Sequence, residues 1–372
     1  MRTKYFLVLV LTGFLWGCSN DDQTPETIDV SAVSDFIALG EDLENVYQFT
    51  YSAGRKEGEL INLTNDNALS NQFLTLRQNG EVLTFFVFSA GNFSAIQRNI
   101  RTGESRFLDK VYSVSDDRSV IWGINSPDKF FFGYYSPRGS NNFGMRTVDI
   151  TTGDVSDIPL EAGVQDVYEP LYHKGKLFVT FLSGSGDYRT LIINANNSAL
   201  LATWDFGGAI PSFFVEEVGS IAVITGTGGN EYLQTFYDFE TLEKLDESSF
   251  ALNRFFPPGP LQARLIDNRL YYLYFYAQPS PIPYAPAVYD FIKEENGVID
   301  MVGIVQALEQ ETGEEINLTA YRYLAEGRSF LLGYTRNFNN GLFQGGILVI
   351  SEEGEVLQNL QTSFIPVYFV NS

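Results

Sequence analysis

Residues 176–198 read KLFVTFLSGSGDYRTLIINANNS: a short apolar run, a polar loop, a second apolar run, and a tight turn at Ala195-Asn-Asn197-Ser. The run Lys176-Leu-Phe-Val-Thr-Phe-Leu182 has strand length and no polar face, so it predicts a strand packed on both sides. Asn in the turn supplies the positive φ that a tight hairpin needs. The turn His173-Lys174-Gly175-Lys176 leads into the same unit, so three strands follow one another closely. Working outward, equivalent runs are Val82-Leu-Thr-Phe-Phe-Val-Phe88, Phe130-Phe-Phe-Gly-Tyr-Tyr135, Ile221-Ala-Val-Ile-Thr225, Leu270-Tyr-Tyr-Leu-Tyr-Phe-Tyr276 and Ser329-Phe-Leu-Leu-Gly-Tyr334. Equivalent turns stand at Leu63-Thr-Asn65-Asp, Arg101-Thr-Gly103-Glu, Thr151-Thr-Gly153-Asp, Glu240-Thr-Leu242-Glu, Glu295-Asn-Gly297-Val and Glu352-Glu-Gly354-Glu, spaced 38 to 57 residues apart. A period in this range with hairpin turns is the mark of β-propeller blades. A two-sheet sandwich also has short strands, but seven similar units favour a seven-bladed β-propeller over residues 35–372.

The ends of the chain predict how the ring closes. The first unit, from Val46 to Asn65, lacks an initial strand, whereas the chain finishes on an unclaimed apolar run, Phe364-Ile-Pro-Val-Tyr-Phe-Val370. Residues 362–370 are therefore expected to complete the first blade, leaving no exposed edge. Gln, Ala, Leu and Glu between Val305 and Glu311 predict a short helix there.

Composition narrows function. The 372 residues carry 24 Lys and Arg against 46 Asp and Glu, a net charge of −22, with one Cys and one His. A chain this acidic repels phosphate backbones, which excludes nucleic acid as a partner. A single Cys and a single His exclude disulfide frameworks, Cys/His zinc sites and multi-histidine metal centres. No cofactor or metal is expected, and nothing in the sequence calls for more than a monomer.

The one Cys is informative by position. Arg2 and Lys4 precede an apolar run from Tyr5 to Trp16, a signal-peptide core too short to span a bilayer. The run ends Leu15-Trp16-Gly17-Cys18, which resembles the bacterial lipobox, with Trp16 in place of the usual small residue. This predicts a signal peptide over 1–17 and lipidation of Cys18, with contact to the membrane only through the lipid. Ser19-Asn20-Asp21-Asp22 resembles the acidic tether that sends Bacteroidota lipoproteins to the outer face of the outer membrane. Residues 18–34 read as a polar tether before the fold.

Beyond the lipobox the chain resembles Bacteroidota lipoprotein propellers, a group that includes surface proteins capturing ferric siderophores for TonB-dependent transporters. The resemblance lies in Tyr47-Gln-Phe-Thr-Tyr51, Leu60-Ile-Asn-Leu63, Phe73-Leu-Thr-Leu-Arg-Gln-Asn-Gly80 and the aromatic strand that follows. It implies a surface-exposed outer-membrane protein that binds a small-molecule ligand and delivers it to such a transporter.

Binding residues are expected in loops joining second to third strands, at the mouth of the ring. These loops are 52–58 (SAGRKEG), 89–94 (SAGNFS), 136–143 (SPRGSNNF), 183–189 (SGSGDYR), 226–232 (GTGGNEY), 277–285 (AQPSPIPYA) and 335–345 (TRNFNNGLFQG). Four carry arginine: Arg55, Arg138, Arg189 and Arg336. Tyr51, Tyr135, Tyr188, Tyr232, Tyr276, Tyr284 and Phe338 lie in or beside them. Guanidinium forks with aromatic walls suit an anionic, ring-bearing ligand.

No catalytic set is recognisable. His173 reads as an exposed turn residue, and no G-x-S-x-G elbow is present. Ser115-Asp-Asp117-Arg-Ser-Val-Ile-Trp122 is one degenerate copy of a sialidase Asp-box. Gly226-Thr-Gly-Gly229 lacks the Lys-Ser/Thr of a phosphate loop. The expected protein is therefore a non-enzymatic binder. The alternatives are a glycan-binding or glycan-cleaving surface propeller, which needs aromatic platforms and carboxylates rather than arginines, and a protein-interaction scaffold.

Overall fold

The computed structural model describes residues 33–370 apart from 68, 70–72, 114–116, 217–218, 227–228, 253–255 and 338–342. Residues 1–17, Cys18 and the tether to residue 32 lie outside the described residues, as do Phe338 and the start of the Asp-box match. Among the described residues no helix is long and apolar enough to cross a membrane.

The chain forms seven antiparallel sheets, each of four principal strands, arranged as the blades of a β-propeller. In blade 4, for example, the inner strand leads to Lys176–Leu182, Tyr188–Asn194 and the outer strand Leu200–Asp205. The six apolar runs read from the sequence are the second strands of blades 2 to 7, and neighbouring blades cover them on both faces. Phe130, Phe131 and Phe132 are wholly buried, as are Leu177, Phe178, Val179 and Phe181. Burying each such side chain contributes about 1.5–3 kcal/mol.

Blade 1 closes the ring. Its second, third and outer strands are Phe36–Glu41, Val46–Ser52 and Glu57–Asn62, and its inner strand is Ile365–Phe369 from the other end of the chain. The register runs from Ala38 opposite Phe369 to Glu41 opposite Ile365, shifting between Leu39 and Gly40. The seam is tight there: a Cβ on Gly40 would stand 2.0 Å from the Phe364 ring, and one on Gly345 would stand 2.4 Å from the Phe364 carbonyl oxygen. Only glycine admits such an approach. Closure by the C-terminal strand is thus as the sequence predicts, and the missing strand of the first unit is the inner one.

Two turn marks fall elsewhere than expected. Leu63–Asn67 is a five-residue helix leaving blade 1, not a hairpin turn, and Glu295–Val298 is the outer strand of blade 6 itself. The first correction matters for function. The loop 52–58 joins the third to the outer strand of blade 1, whereas the other six expected loops join second to third strands. It therefore lies on the opposite face of the ring. We call the face bearing inner-to-second and third-to-outer turns the lower face, and the other the upper face.

The predicted helix is Met301–Thr312, on the connection from blade 6 to blade 7. The Asp300 carboxylate caps it by accepting from Gly303 N at 3.0 Å, and Gly313 ends it in the left-handed region at φ 73°. Met301, Val305 and Leu308 bury its apolar side.

Candidate functional site

The inner strands are irregular, and the irregularities shape the channel they enclose. In blade 4 the inner strand is split into Asp166–Val167 and Leu171–His173; Tyr168 still donates its N–H to the Thr180 carbonyl at 2.9 Å, and residues 169–170 leave the ladder, where Pro170 has no N–H to give. In blade 5 the segment Gly259–Pro260 lies parallel to the inner strand Ile210–Val215, adding a layer on the channel side. In blade 6 the inner strand is only Arg264–Ile266, paired with residues 269–271. Leu273 and Tyr284, from the second and third strands of that blade, consequently line the channel directly.

The result is a cavity of about 680 Å³ lined mainly by the lower ends of the inner strands. That size suits a small organic ligand. Its charged lining is unlike the rest of the chain. Arg77, Arg264 and Arg322 line it, from blades 2, 6 and 7, and Glu169 is the one acidic residue among the described lining. The closing blade stands between blades 7 and 2 in the ring, so Arg264, Arg322, Tyr368 and Arg77 follow one another as an arc. Electrostatic coupling of Arg322 to Arg264 and to Tyr368, and of Tyr368 to Arg77, shows that these groups are near one another.

Each member of the arc is held differently. Arg77 donates to Glu169 Oε1 at 3.0 Å, to the Gly123 carbonyl at 3.2 Å and to the Leu76 carbonyl at 3.5 Å. The Tyr368 hydroxyl donates to Gln78 Oε1 at 3.1 Å. Arg322 has no carboxylate partner among the described residues, and its Nε is buried without a hydrogen-bond partner. Burial first, then the neighbouring Arg264, pulls its pKa down to about 10, so it stays cationic at neutral pH at a cost to the fold. Asn125 Oδ1 and the Tyr321 hydroxyl, also in the cavity lining, are buried and likewise unbonded among the described residues. Unmade hydrogen bonds at buried polar atoms are costly, and these three atoms of the lining are ones that a polar ligand can satisfy.

The loop arginines do not converge. Arg55 is exposed on the lower face. Arg138, exposed on the upper face, donates to the Arg118 carbonyl at 3.5 Å. Arg189 is taken by Asp205 at 3.0 Å, with Glu161 of the preceding blade at 3.9 Å, and serves as a cross-strand ion pair. Arg336 is buried, hydrogen-bonded to Gln344 and 3.6 Å from Glu314. Chain topology puts these four on separate blades and on two faces, with their forks already occupied or in open solvent.

The aromatic candidates divide too. Tyr51 is buried and stacked on Phe36 at 5.0 Å, Tyr188 stacks on Tyr168 at 6.1 Å, and Tyr232 is packed between Phe250 and Phe256. Tyr135 sits edge-on to Phe143, and Tyr276 edge-on to Tyr274. Tyr284 does line the cavity, and burial pushes its pKa up to about 12. His173 is not an exposed turn residue. It ends the inner strand of blade 4, lines the cavity, and stands edge-on to Phe239 at 5.1 Å. Burial, then Lys174, lowers its pKa, so it is neutral at pH 7.

A sequence signal for the missed arginines exists. Arg77, Arg264 and Arg322 each stand three residues before the turn residue that ends the inner strand, at Gly80, Asp267 and Ala325. Units aligned on their inner-to-second turns, rather than on their third-to-outer turns, would have stacked them in one column.

No protein-family model and no curated protein sequence matches the chain. Solved structures do. A putative 6-phosphogluconolactonase from Bacteroides fragilis is similar over 93% of this chain and 100% of its own, at 12% identity and a TM-score of 0.50. An uncharacterised protein from Listeria monocytogenes covers 91% of this chain and 92% of its own, at 11% identity and a TM-score of 0.47. A prolyl endopeptidase matches at 11% identity and a TM-score of 0.49, over 80% of this chain, which spans 43% of that one. Enzymes thus occur among similar structures, and the likeness is one of fold.

Proposed function

We propose that this protein is a non-catalytic, lipid-anchored receptor that binds a small anionic, ring-bearing ligand in its central channel. A ferric siderophore of the catecholate kind is the best reading, for delivery to a TonB-dependent outer-membrane transporter. The observation that supports it is the inversion of charge: a chain of net charge −22 gathers three arginines around one cavity, with a single carboxylate among the described lining residues. Phenolate or carboxylate oxygens can occupy the guanidinium forks, while Tyr284 and Tyr368 offer ring surface beside them. The bulk negative charge then serves solubility, and the local field at the cavity serves capture.

Binding is tested by titrating ferric tris-catecholate and following tyrosine and tryptophan emission. Arg322→Ala should weaken it by 10- to 100-fold, the equivalent of about 1.5–3 kcal/mol for a hydrogen bond to a charged group. The same change removes a poorly paired, partly buried cation, so the melting temperature should hold or rise. Unchanged affinity in Arg322→Ala sinks the site, and no catecholate binding by the parent protein sinks the ligand class. Anchoring is tested separately: Cys18→Ala should move the protein from the membrane fraction to the soluble one, and persistence with membranes would refute lipidation.

A further inference from the structure

Glu169 is placed unlike the other acids of the chain. It sits in the gap between the two short pieces of the inner strand of blade 4, where residues 169–170 make no ladder pairs. From there its carboxylate bonds Arg77 of blade 2 at 3.0 Å, reaching past the inner strand of blade 3, whose Gly123 carbonyl takes a second proton of the same guanidinium. The two partners are unequally covered: the Arg77 side chain is 18% exposed and that of Glu169 is 69% exposed. Arg77 is fixed in the wall, therefore, while Glu169 lies on it from the solvent side.

We infer that Glu169 is an internal counter-anion that an incoming ligand displaces from Arg77, and that this makes the cavity selective for anions of two or more charges. The inference rests on the proposed binding role of the channel and deepens it. A singly charged ligand meets only Arg322, which has no carboxylate partner among the described residues, and that one contact is too weak to hold it while Glu169 occupies Arg77. A ligand with a second anionic group at the right reach exchanges one carboxylate–guanidinium pair for another. The expelled Glu169 side chain is largely hydrated already, so its release leaves no buried charge behind. Selectivity here is a difference between two affinities, set by an element of the protein that competes with weak ligands. The Gly123 carbonyl keeps the Arg77 fork oriented during the exchange, since its bond to Nε does not involve Glu169.

The test uses the full-length protein with citrate, a trianion, and acetate, a monoanion, each added at fixed ionic strength while thermal unfolding is followed. Ligands that bind only the folded state raise the melting temperature. In the parent protein citrate should raise it and acetate should not. Glu169→Gln should lower the half-saturating citrate concentration about tenfold and should bring in a response to acetate. An identical citrate midpoint in parent and variant overturns the inference, as does a citrate response in neither. Should Glu169→Gln fail to fold, Glu169→Asp, whose shorter stem draws the carboxylate back from Arg77, must show the same shift in reduced size. The catecholate titration of Arg322→Ala reads the proposed site itself, so the two failures are distinguishable.

Discussion

Removal of residues 362–372 is expected to abolish soluble, cooperatively unfolding protein. The deletion takes away the strand that pairs with Phe36–Glu41 from Ala38 to Glu41, together with the Val370 N–H bond to the Ile37 carbonyl. It also takes away Phe364 and Phe369, which are 1% and 3% exposed. Phe364 packs on Tyr47 and Phe49 at 5.8 and 6.0 Å, and Phe369 stands edge-on to Phe36 at 6.3 Å. The two rings alone account for about 3–6 kcal/mol, against a typical total stability of 5–15 kcal/mol. The unpaired edge of Phe36–Glu41 is then free to recruit other chains. Soluble yield and urea unfolding decide the matter, and a truncated protein with a single cooperative transition would refute closure as the seat of stability.

Glu352→Ala is expected to cost about 3 kcal/mol without touching the cavity arginines. The Glu352 side chain is 6% exposed and accepts from the Tyr323 hydroxyl at 2.6 Å, from Arg328 at 2.8 and 3.1 Å, and from Arg269 at 3.4 Å. Tyr323 stacks on Tyr271 of blade 6 at 3.9 Å with an 11° tilt, so the carboxylate fastens blade 7 to blade 6. Removing one partner of a buried network leaves the others uncompensated, at about 3–5 kcal/mol; the low end applies because Arg328 is 65% exposed and screened by water. Burial alone would raise the Glu352 pKa, but the bonds from Arg328, Tyr323 and Tyr271 outweigh it and hold the group below the ordinary glutamate value of 4.5. A lowered folded-state pKa gives stability that is full above that ordinary value and is lost as pH falls through the folded one. The stability gap between parent and Glu352→Ala should thus be constant near neutrality and shrink below pH 4.5. A gap that is absent at pH 7, or unchanged down to pH 3, would show that the carboxylate does not staple the blades.

The strands of this fold are legible in sequence because stacking blades bury both faces of the second and third strands. Continuous runs such as Lys176–Leu182 stand out against polar turns. Closure is legible for a similar reason, since Phe364 to Val370 is too apolar to be left unpaired. The site is harder to see. An inner strand packs on one face and lines a wet channel with the other, so Leu76, Arg77 and Gln78 look like any half-exposed strand. Loop arginines attract notice instead, yet a loop says nothing about which way its side chains turn or what has already claimed them. Arg189 and Arg336 are claimed by Asp205 and Gln344. The face on which a loop lies depends on counting strands from the correct start, and a first unit begun at Val46 leaves out the strand Phe36–Glu41, which turns the loop of Arg55 from a third-to-outer into a second-to-third connection.

That borrowed strand also sets a schedule. A ribosome delivers Phe36–Glu41 long before Ile365–Phe369, and pairings between such distant segments form slowly. Blade 1 waits open while all the others are made. Tyr368 arrives with the last strand and stands between Arg322 and Arg77, so the cavity does not exist until the ring is sealed. Nascent chains, and chains that lose the last strand, consequently lack the cavity altogether rather than carrying part of it. A ligand bound as proposed would act as a clasp on the seam that made its site.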